Sequence, residues 1–372
     1  MQKYKGIISE ALKVNFITLI VFSVVNIFFT SVFPFISTGK DGSWLLSKYV
    51  TLKNNGKAPL YDDNVVICSV AGINSRDSIA SIIEKLHSCN PLAIGCDIIF
   101  SKSTGTDSLH SQHLKLAVEG KNGIIVAQRP VLDGLGRLSS VEESIFDDSN
   151  KGDVTVYPDG SHSRETTIDG RKFVNFASLV AETACGGIEY PTGEYAINYS
   201  NRHFPVLAID EISGGDVEGK IVLLGDTEDL RDYIDLDFAV TDHRYMTSFT
   251  TSKRVPGVFL HAYAIATMLE GNWITVVPEW ISFIFGFIAS FFLCLLGKYW
   301  SLKGIPRCYF KCVHLLAFTL MIWISYPLYA CFDVIVSPLY FTVSVAMSDF
   351  SSSGLDAFRH IKGKFLKKPE NV

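Results

Sequence analysis

NVVICSVAGINSRDSIASIIEKLHSCNPLAIGCDI, residues 64–98, decides the fold. Asn64 to Val70 is short, continuous and rich in β-branched residues, the pattern of a strand buried on both faces. Ser75 is placed to cap a helix on which Ile79, Ile82, Ile83 and Leu86 recur along one face. Pro91 opens a second apolar run, Leu92 to Ile98. Two apolar strands joined by an amphipathic helix predict a parallel βαβ unit with a right-handed crossover. A helix over 109–119 and a third strand over 123–127 extend it, so the expected class is α/β with a mainly parallel sheet. Residues 130–172 read as loop-rich and 173–185 as a helix. A strand is expected over 195–199 and another at the end of 217–225. Residues 226–237 read as an acidic loop, and Pro256 and Gly257 introduce a helix over 258–270.

Apolar runs bracket this domain, residues 37–276. Val14 to Ile36 holds 23 residues without a charge, and a helix rising about 1.5 Å per residue crosses a hydrocarbon core of about 30 Å in that length. It is too long for the apolar region of a cleaved signal peptide, and bulky Phe33, Pro34 and Phe35 end it. Residues 277–297, 309–330 and 334–350 supply three more runs, so four transmembrane α-helices are expected, with an N-terminal segment 1–13 and a tail 351–372. Basic residues flank the runs on one side only: Lys3, Lys5 and Lys13; Lys298, Lys303, Arg307 and Lys311; Arg359, Lys362, Lys364, Lys367 and Lys368. Such flanks resist translocation. Both termini are therefore expected in the cytoplasm and residues 37–276 outside it, with Trp44 and Tyr49 as interfacial anchors.

Residues 37–276 carry 21 Lys and Arg against 32 Asp and Glu, and an acidic exported domain does not suggest nucleic acid as a partner. Cys68 and Cys96 lie inside apolar strand-like runs, where a small buried hydrophobe is the better reading than a disulfide. No Cys or His spacing suited to a metal appears in the exported part, and no cofactor is expected. Gly-x-Ser-x-Gly and His-Glu-x-x-His are absent, and no nucleophile, base and oxyanion set can be assembled, so catalysis is not expected. His314 and Asp349 lie near span ends and offer no midplane ion path, which argues against a transporter.

The succession LAIGCDIIF, YPDGSHSRE, INYSNRHFPV, GKIVLLGDTEDLRD and VPGVFLHAYAIATMLEG, followed by three apolar runs, resembles the CHASE-type extracellular sensory domain of the second class, found in bacterial receptors. The resemblance runs from about residue 40 to 350 and implies one membrane helix before the domain and three after it. It thereby places the chain in the bacterial inner (cytoplasmic) membrane with the domain periplasmic. Two departures stand out. VAGINSRDS replaces the acidic pair and Trp-Pro-rich segment usual after the first strand. Only residues 351–372 follow the last run, where the family usually continues into a catalytic output domain.

Asp97 closes the second strand, at the carboxyl edge of a parallel sheet where such folds place ligands; it matches the family's strand-end aspartate, and its alternative role is to cap local amides. Gly225, Asp226 and Thr227 follow another strand and would share the crevice, without the glycine spacing and lysine of a phosphate loop. Asp229, Asp232, Asp235 and Asp237 lack the spacing of a calcium loop, so a solvated acidic loop is the better reading. Of these, only Asp232 corresponds to a family motif position. His261, between Leu260 and Ala262, reads as a partly buried histidine on the helix that feeds the membrane. Arg164 is expected to pin its loop through a carboxylate. The expected ligand site is thus Asp97, Asp226, Thr227, Asp232 and His261.

These readings point to an extracytoplasmic sensor for a small molecule, an envelope state or an envelope protein, acting in trans on a separate effector in the membrane or cytoplasm. The alternative is a non-signalling envelope scaffold or accessory subunit. A homodimer is an open arrangement. In the tail, Leu355, Phe358, Ile361 and Phe365 recur at helical spacing among the basic residues, fitting either a partner helix or the anionic inner surface of the lipid bilayer. Docking through Phe358, Ile361 and Phe365 is the reading preferred. Replacing these three with serine while keeping every cation is expected to leave membrane insertion intact and remove a co-purifying partner; an unaltered partner profile would reduce the tail to an anchor.

Overall fold

The computed structural model describes residues 60–100, 108–143, 145–146, 150–157, 161–191, 195–241 and 251–336, most of 6–20, and the single positions 50, 53 and 345. Most of the expected first span, the expected fourth span beyond 336, the anchors Trp44 and Tyr49, and the tail with Phe358, Ile361 and Phe365 lie outside the described residues. The chain divides into two compact units, one of residues Leu46–Ile274, the other of Met1–Leu45 with Thr275–Val372.

The first unit is built on a sheet whose elements follow in the order β1 (Val65–Ser69), α1 (Arg76–Ser88), β2 (Ala93–Cys96), α2 (Ser108–Val118), β3 (Ile124–Leu132), β4 (Leu138–Glu143) and β5 (Asn150–Asp153). The hairpin β6 (Glu165–Ile168) and β7 (Arg171–Val174), then α3 (Phe176–Cys185), β8 (Val206–Leu207) and β9 (Ile221–Gly225), come next. A second hairpin, β10 (Tyr233–Thr241) with β11 (Thr251–Pro256), leads into α4 (Gly257–Glu270). The strand order is β8-β1-β9-β2-β3-β4, with β5 also on β3. Only β3 and β4 run antiparallel. The late strand β9 separates β1 from β2, pairing Leu223 with Ile67 on one side and with Gly95 on the other.

The apolar strands are two-sided because their side chains alternate between two helical layers. Cys68, Ile94, Cys96, Val126, Val222 and Leu224 share a core with Ile79, Ile82, Ile83 and Leu86 of α1 and Leu114, Ala117 and Val118 of α2. On the opposite face α3 touches β2, β3 and β5, while α4 touches β1 and β9. The expected cap of α1 is present, Ser75 accepting from the Ser78 amide at 3.4 Å. Asn175 caps α3 through the amides of Ala177 and Ser178, and Gly186 ends it at φ 79°. Helix α4 is buried from Gly257 through Met268, as an apolar helix without a polar face must be. Cys68 and Cys96 are buried and free, and burial pushes their thiols up to about 11 and about 12.

Residues 130–172 differ from the loop-rich expectation, since β3 runs on to Leu132 and β4, β5 and β6 follow it. These strands carry LSSVEE, NKGD and ETTI, polar sequences held by backbone ladders, so they lack the apolar signature that marks β1 and β9. For the same reason Asp235 and Asp237 lie on the hairpin strand β10 and not in a loop. The helix expected over 173–185 starts at Phe176, Phe173 belonging to β7, and the strand expected over 195–199 is limited to Tyr195–Ala196.

At the amino-terminal edge of the sheet, Asp62 accepts from the amides of Asn64 and Val65 at 2.9 Å each and from Arg202 Nη1 at 2.5 Å. Arg202 Nη2 donates to Glu270, the last residue of α4, at 2.6 Å. A buried guanidinium with two carboxylates is compensated by short charge-assisted bonds, and it ties the entry of β1 to the far end of α4.

The second unit contains α5 (Glu279–Leu302) and α6 (Arg307–Phe332), joined by a turn with Gly304 at φ 71°. Phe310 covers Gly297, where a Cβ would lie 2.5 Å from its ring. Among the described residues one helix, Trp280–Leu302, is long and apolar enough to cross a membrane. Residues 309–330, expected as a further span, are helical within α6.

Close packing singles out Gly152 on β5. A Cβ there would lie 2.5 Å from Phe176 Cα and 3.1 Å from its amide nitrogen, backbone atoms that cannot step aside. Gly152→Ala is expected to destabilise by about 1–3 kcal/mol, the usual range for overpacking. Gly187→Ala, with open space around it, is expected to change little. Denaturant midpoints of the purified full-length protein in mild detergent check both.

Candidate functional site

The carboxyl ends of the parallel strands converge because their registers are locked past the last paired residues. The Asp97 amide donates to Leu224 O at 2.8 Å and the Val70 amide to Gly225 O at 3.0 Å. Gly225 permits the approach of α4, since a Cβ there would lie 2.9 Å from Val258 Cγ2 and 3.6 Å from Asp97 Cβ. Around these ends opens a cavity of about 780 Å³. Asp97, Arg129, Glu142, Asp226, Asp229 and Asp232 supply its charges; Val70, Ile73, Ile79 and Ile98 form part of an apolar wall. Five carboxyl groups face one guanidinium.

Asp97 has a side chain only 9% exposed. No hydrogen bond reaches its carboxyl group among the described residues. His261 Nε2 approaches it at 3.8 Å, beyond hydrogen-bond length. Burial raises the carboxyl well above the usual range, with Asp232 adding to the rise and Arg129 opposing it. Burial also drives the His261 imidazole down to about 3, with His162 and Arg129 in the same direction. Burial thus disfavours the charged form of both groups, and at 3.8 Å neither offsets that penalty for the other. The Phe176 ring stands edge-on to His261 with centroids 4.9 Å apart.

Asp232 sits before β10, its carboxyl beside Gly257 at the start of α4. Burial raises it to about 6; Arg129 opposes this, Asp229 and Asp226 reinforce it, and the Gly257 amide opposes it. Asp226 lines the cavity and also orders the following turn, its Oδ1 accepting from the amides of Glu228 and Asp229 at 2.8 and 2.9 Å. Asp229 is engaged by Arg231 through Nε at 3.1 Å and Nη2 at 2.9 Å.

The expected set is therefore brought together in part. Asp97, Asp226 and Asp232 line the cavity. Thr227 does not; its Oγ1 lies 2.7 Å from Ser69 Oγ and its carbonyl accepts from Tyr233 Oη at 3.2 Å, so it joins the ends of β1 and β9. His261 lies behind Asp97, buried in α4, and is not part of the lining. Arg164 pins its loop as expected, gripping Glu182 at 2.6 and 3.1 Å. Arg129 and Glu142 were not singled out by the sequence. Arg129 follows five buried positions of β3, and a cation just past a buried parallel strand was the available signal. Among the described residues no group of three or more His, Cys, Asp or Glu could hold a metal ion.

Residues 70–296 match the family described as the CHASE2 domain. No curated protein and no solved structure matches the chain.

Burial of the Asp232 carboxyl predicts a pH-dependent stability. Its folded value, about 6, lies above the ordinary 3.8, so the folded state binds the extra proton and loses that advantage as pH rises from about 4 to 6. Asp232→Asn keeps the shape and removes the ionisation. Relative to wild type, the variant is expected to gain stability from pH 4 to pH 7.5. Partial exposure reduces the gain to about 1 kcal/mol, or roughly 2–4 °C in Tm for a domain of this size. Melting curves at the two pH values check it; a constant difference would contradict the assignment.

Proposed function

The chain belongs to the CHASE2 family of extracellular sensory domains, and from that premise we propose that it is a membrane-anchored, extracytoplasmic sensor whose ligand binds in the strand-end cavity. The observation that carries the reading is Asp97: a carboxyl 9% exposed, without a hydrogen bond among the described residues, lining a cavity of about 780 Å³. Cavities of this size suit small organic ligands, and an uncompensated buried carboxyl is costly unless something completes it. In this reading the domain binds its ligand without turning it over.

Helix α4 is the proposed relay. Its first turn lies beside Asp232 and Gly225 at the cavity, and residues 271–278 join its end to α5. A membrane setting is supported by the apolar length of Trp280–Leu302 and by exposed Trp280, Phe285 and Phe292 on α5 and Leu315, Leu316 and Trp323 on α6. The reading includes four spans, on the strength of the apolar runs, both termini in the cytoplasm, on the strength of the basic flanks, and an inner-membrane location, as the family resemblance implies. The effector is proposed to be a separate protein met by the tail, through Phe358, Ile361 and Phe365.

A sensor needs two states of different ligand affinity and a scaffold does not. Cells carrying Asp97→Ala with Asp226→Ala, at wild-type protein abundance, are expected to match a deletion strain in their transcriptional response to envelope conditions. A response equal to wild type would favour the scaffold, whose binding surface these substitutions leave in place.

A further inference from the structure

We infer that the strand-end cavity takes a small zwitterion of the α-amino acid class, its ammonium group between Asp97 and Asp232, its carboxylate on Arg129 and its apolar side chain on the wall formed by Val70, Ile73 and Ile79. The inference rests on the reading of this cavity as the ligand site.

The groups left without partners define the complement. Asp226 and Asp229 are committed to their own loop, by two backbone amides and by Arg231. Asp97 accepts no hydrogen bond among the described residues and is nine-tenths buried. The Arg129 guanidinium lines the same cavity and makes no hydrogen bond or ion pair within 4 Å among the described residues. An ammonium group carries three donors and answers a pair of carboxyl groups; a carboxylate answers a guanidinium in bidentate fashion. A bare cation satisfies the acids and leaves Arg129 unpaired. A bare carboxylate does the reverse and adds charge to an acidic wall, and a neutral sugar compensates neither charge. One molecule with both charges and an apolar body answers Asp97, Asp232 and Arg129 together, while Glu142, exposed across the β3–β4 ladder from Arg129, remains with solvent. No protein group has to be displaced. The space of about 780 Å³ leaves room for a large side chain or a second residue, which places leucine- or phenylalanine-like ligands ahead of glycine.

The test uses the full-length protein in mild detergent, with thermal shift and calorimetry against each standard amino acid, putrescine, butyrate and glucose. Apolar amino acids are expected to bind, and Asp97→Asn and the exposed-site Arg129→Gln are each expected to weaken them roughly tenfold or more, the scale of a charge-assisted bond. Arg129→Gln changes a partly solvated side chain, so it remains informative even where Asp97→Asn disturbs folding. Binding of putrescine, butyrate or glucose as tight as that of any amino acid, with sensitivity to Asp97→Asn, overturns the zwitterion and leaves the cavity as the ligand site. Absence of any binding that either substitution alters overturns both readings.

Discussion

Helix α4 lies so close to the sheet that no side chain fits at Gly225, and the rest of the domain is arranged around that approach. Val258 occupies the space a Cβ would need. The helix is apolar on every face, so it forms only where the sheet, α3 and the surrounding loops can cover it. Once seated, its fourteen residues, about 21 Å of rise, fix three things together. Gly257 stands beside Asp232, His261 stands behind Asp97, and Glu270 reaches Arg202.

The two ends of α4 treat buried charge in opposite ways. At Arg202 the guanidinium is met by Asp62 and Glu270 at 2.5 and 2.6 Å, and Asp62 also receives two backbone amides. At Asp97 no hydrogen bond plays that part among the described residues; burial and Asp232 disfavour its charge, and Arg129 opposes them only in part. Breaking the first set would strand a buried ion, whereas the second is already a reservoir of unfavourable solvation. Such energy persists in folded proteins where the remaining structure over-determines the local arrangement. A helix held firmly at one end and facing an unsatisfied carboxyl at the other is suited to move with the occupancy of that carboxyl.

How much of this could be read in advance depended on the type of signal. The buried strands β1, β2, β3 and β9 were legible because parallel pairing demands unbroken apolar runs, and Ile79, Ile82, Ile83 and Leu86 announced α1 by periodicity. Strands β4, β5 and β6 were not, since their ladders are backbone bonds under polar side chains such as Ser139, Lys151 and Thr166. Asp97, Asp226 and Asp232 could be placed at strand ends from order alone. Thr227 and His261 were placed in the right neighbourhood, and His261 was read as partly buried, but neither lines the cavity: whether a residue one step along a turn or helix faces it depends on backbone direction, which the sequence does not carry. Arg129 escaped because β3 was read as ending at Ala127, two residues before the side chain that supplies the cavity's cation.

The position of β9 between β1 and β2 governs the order in which the domain can be assembled. When residues 65–96 leave the ribosome, their two apolar strands have no direct partner in each other; the strand that joins them ends at Gly225. At about 5–20 residues per second that delay is roughly 6–25 s, and contacts so distant along the chain close slowly even when both segments are present. Throughout the interval the open edges of VVICS and AIGC are competent to pair with other chains. Until residue 225 has been made, these two edges stay open to other chains, a consequence of seating the last strand of the sheet between the first two.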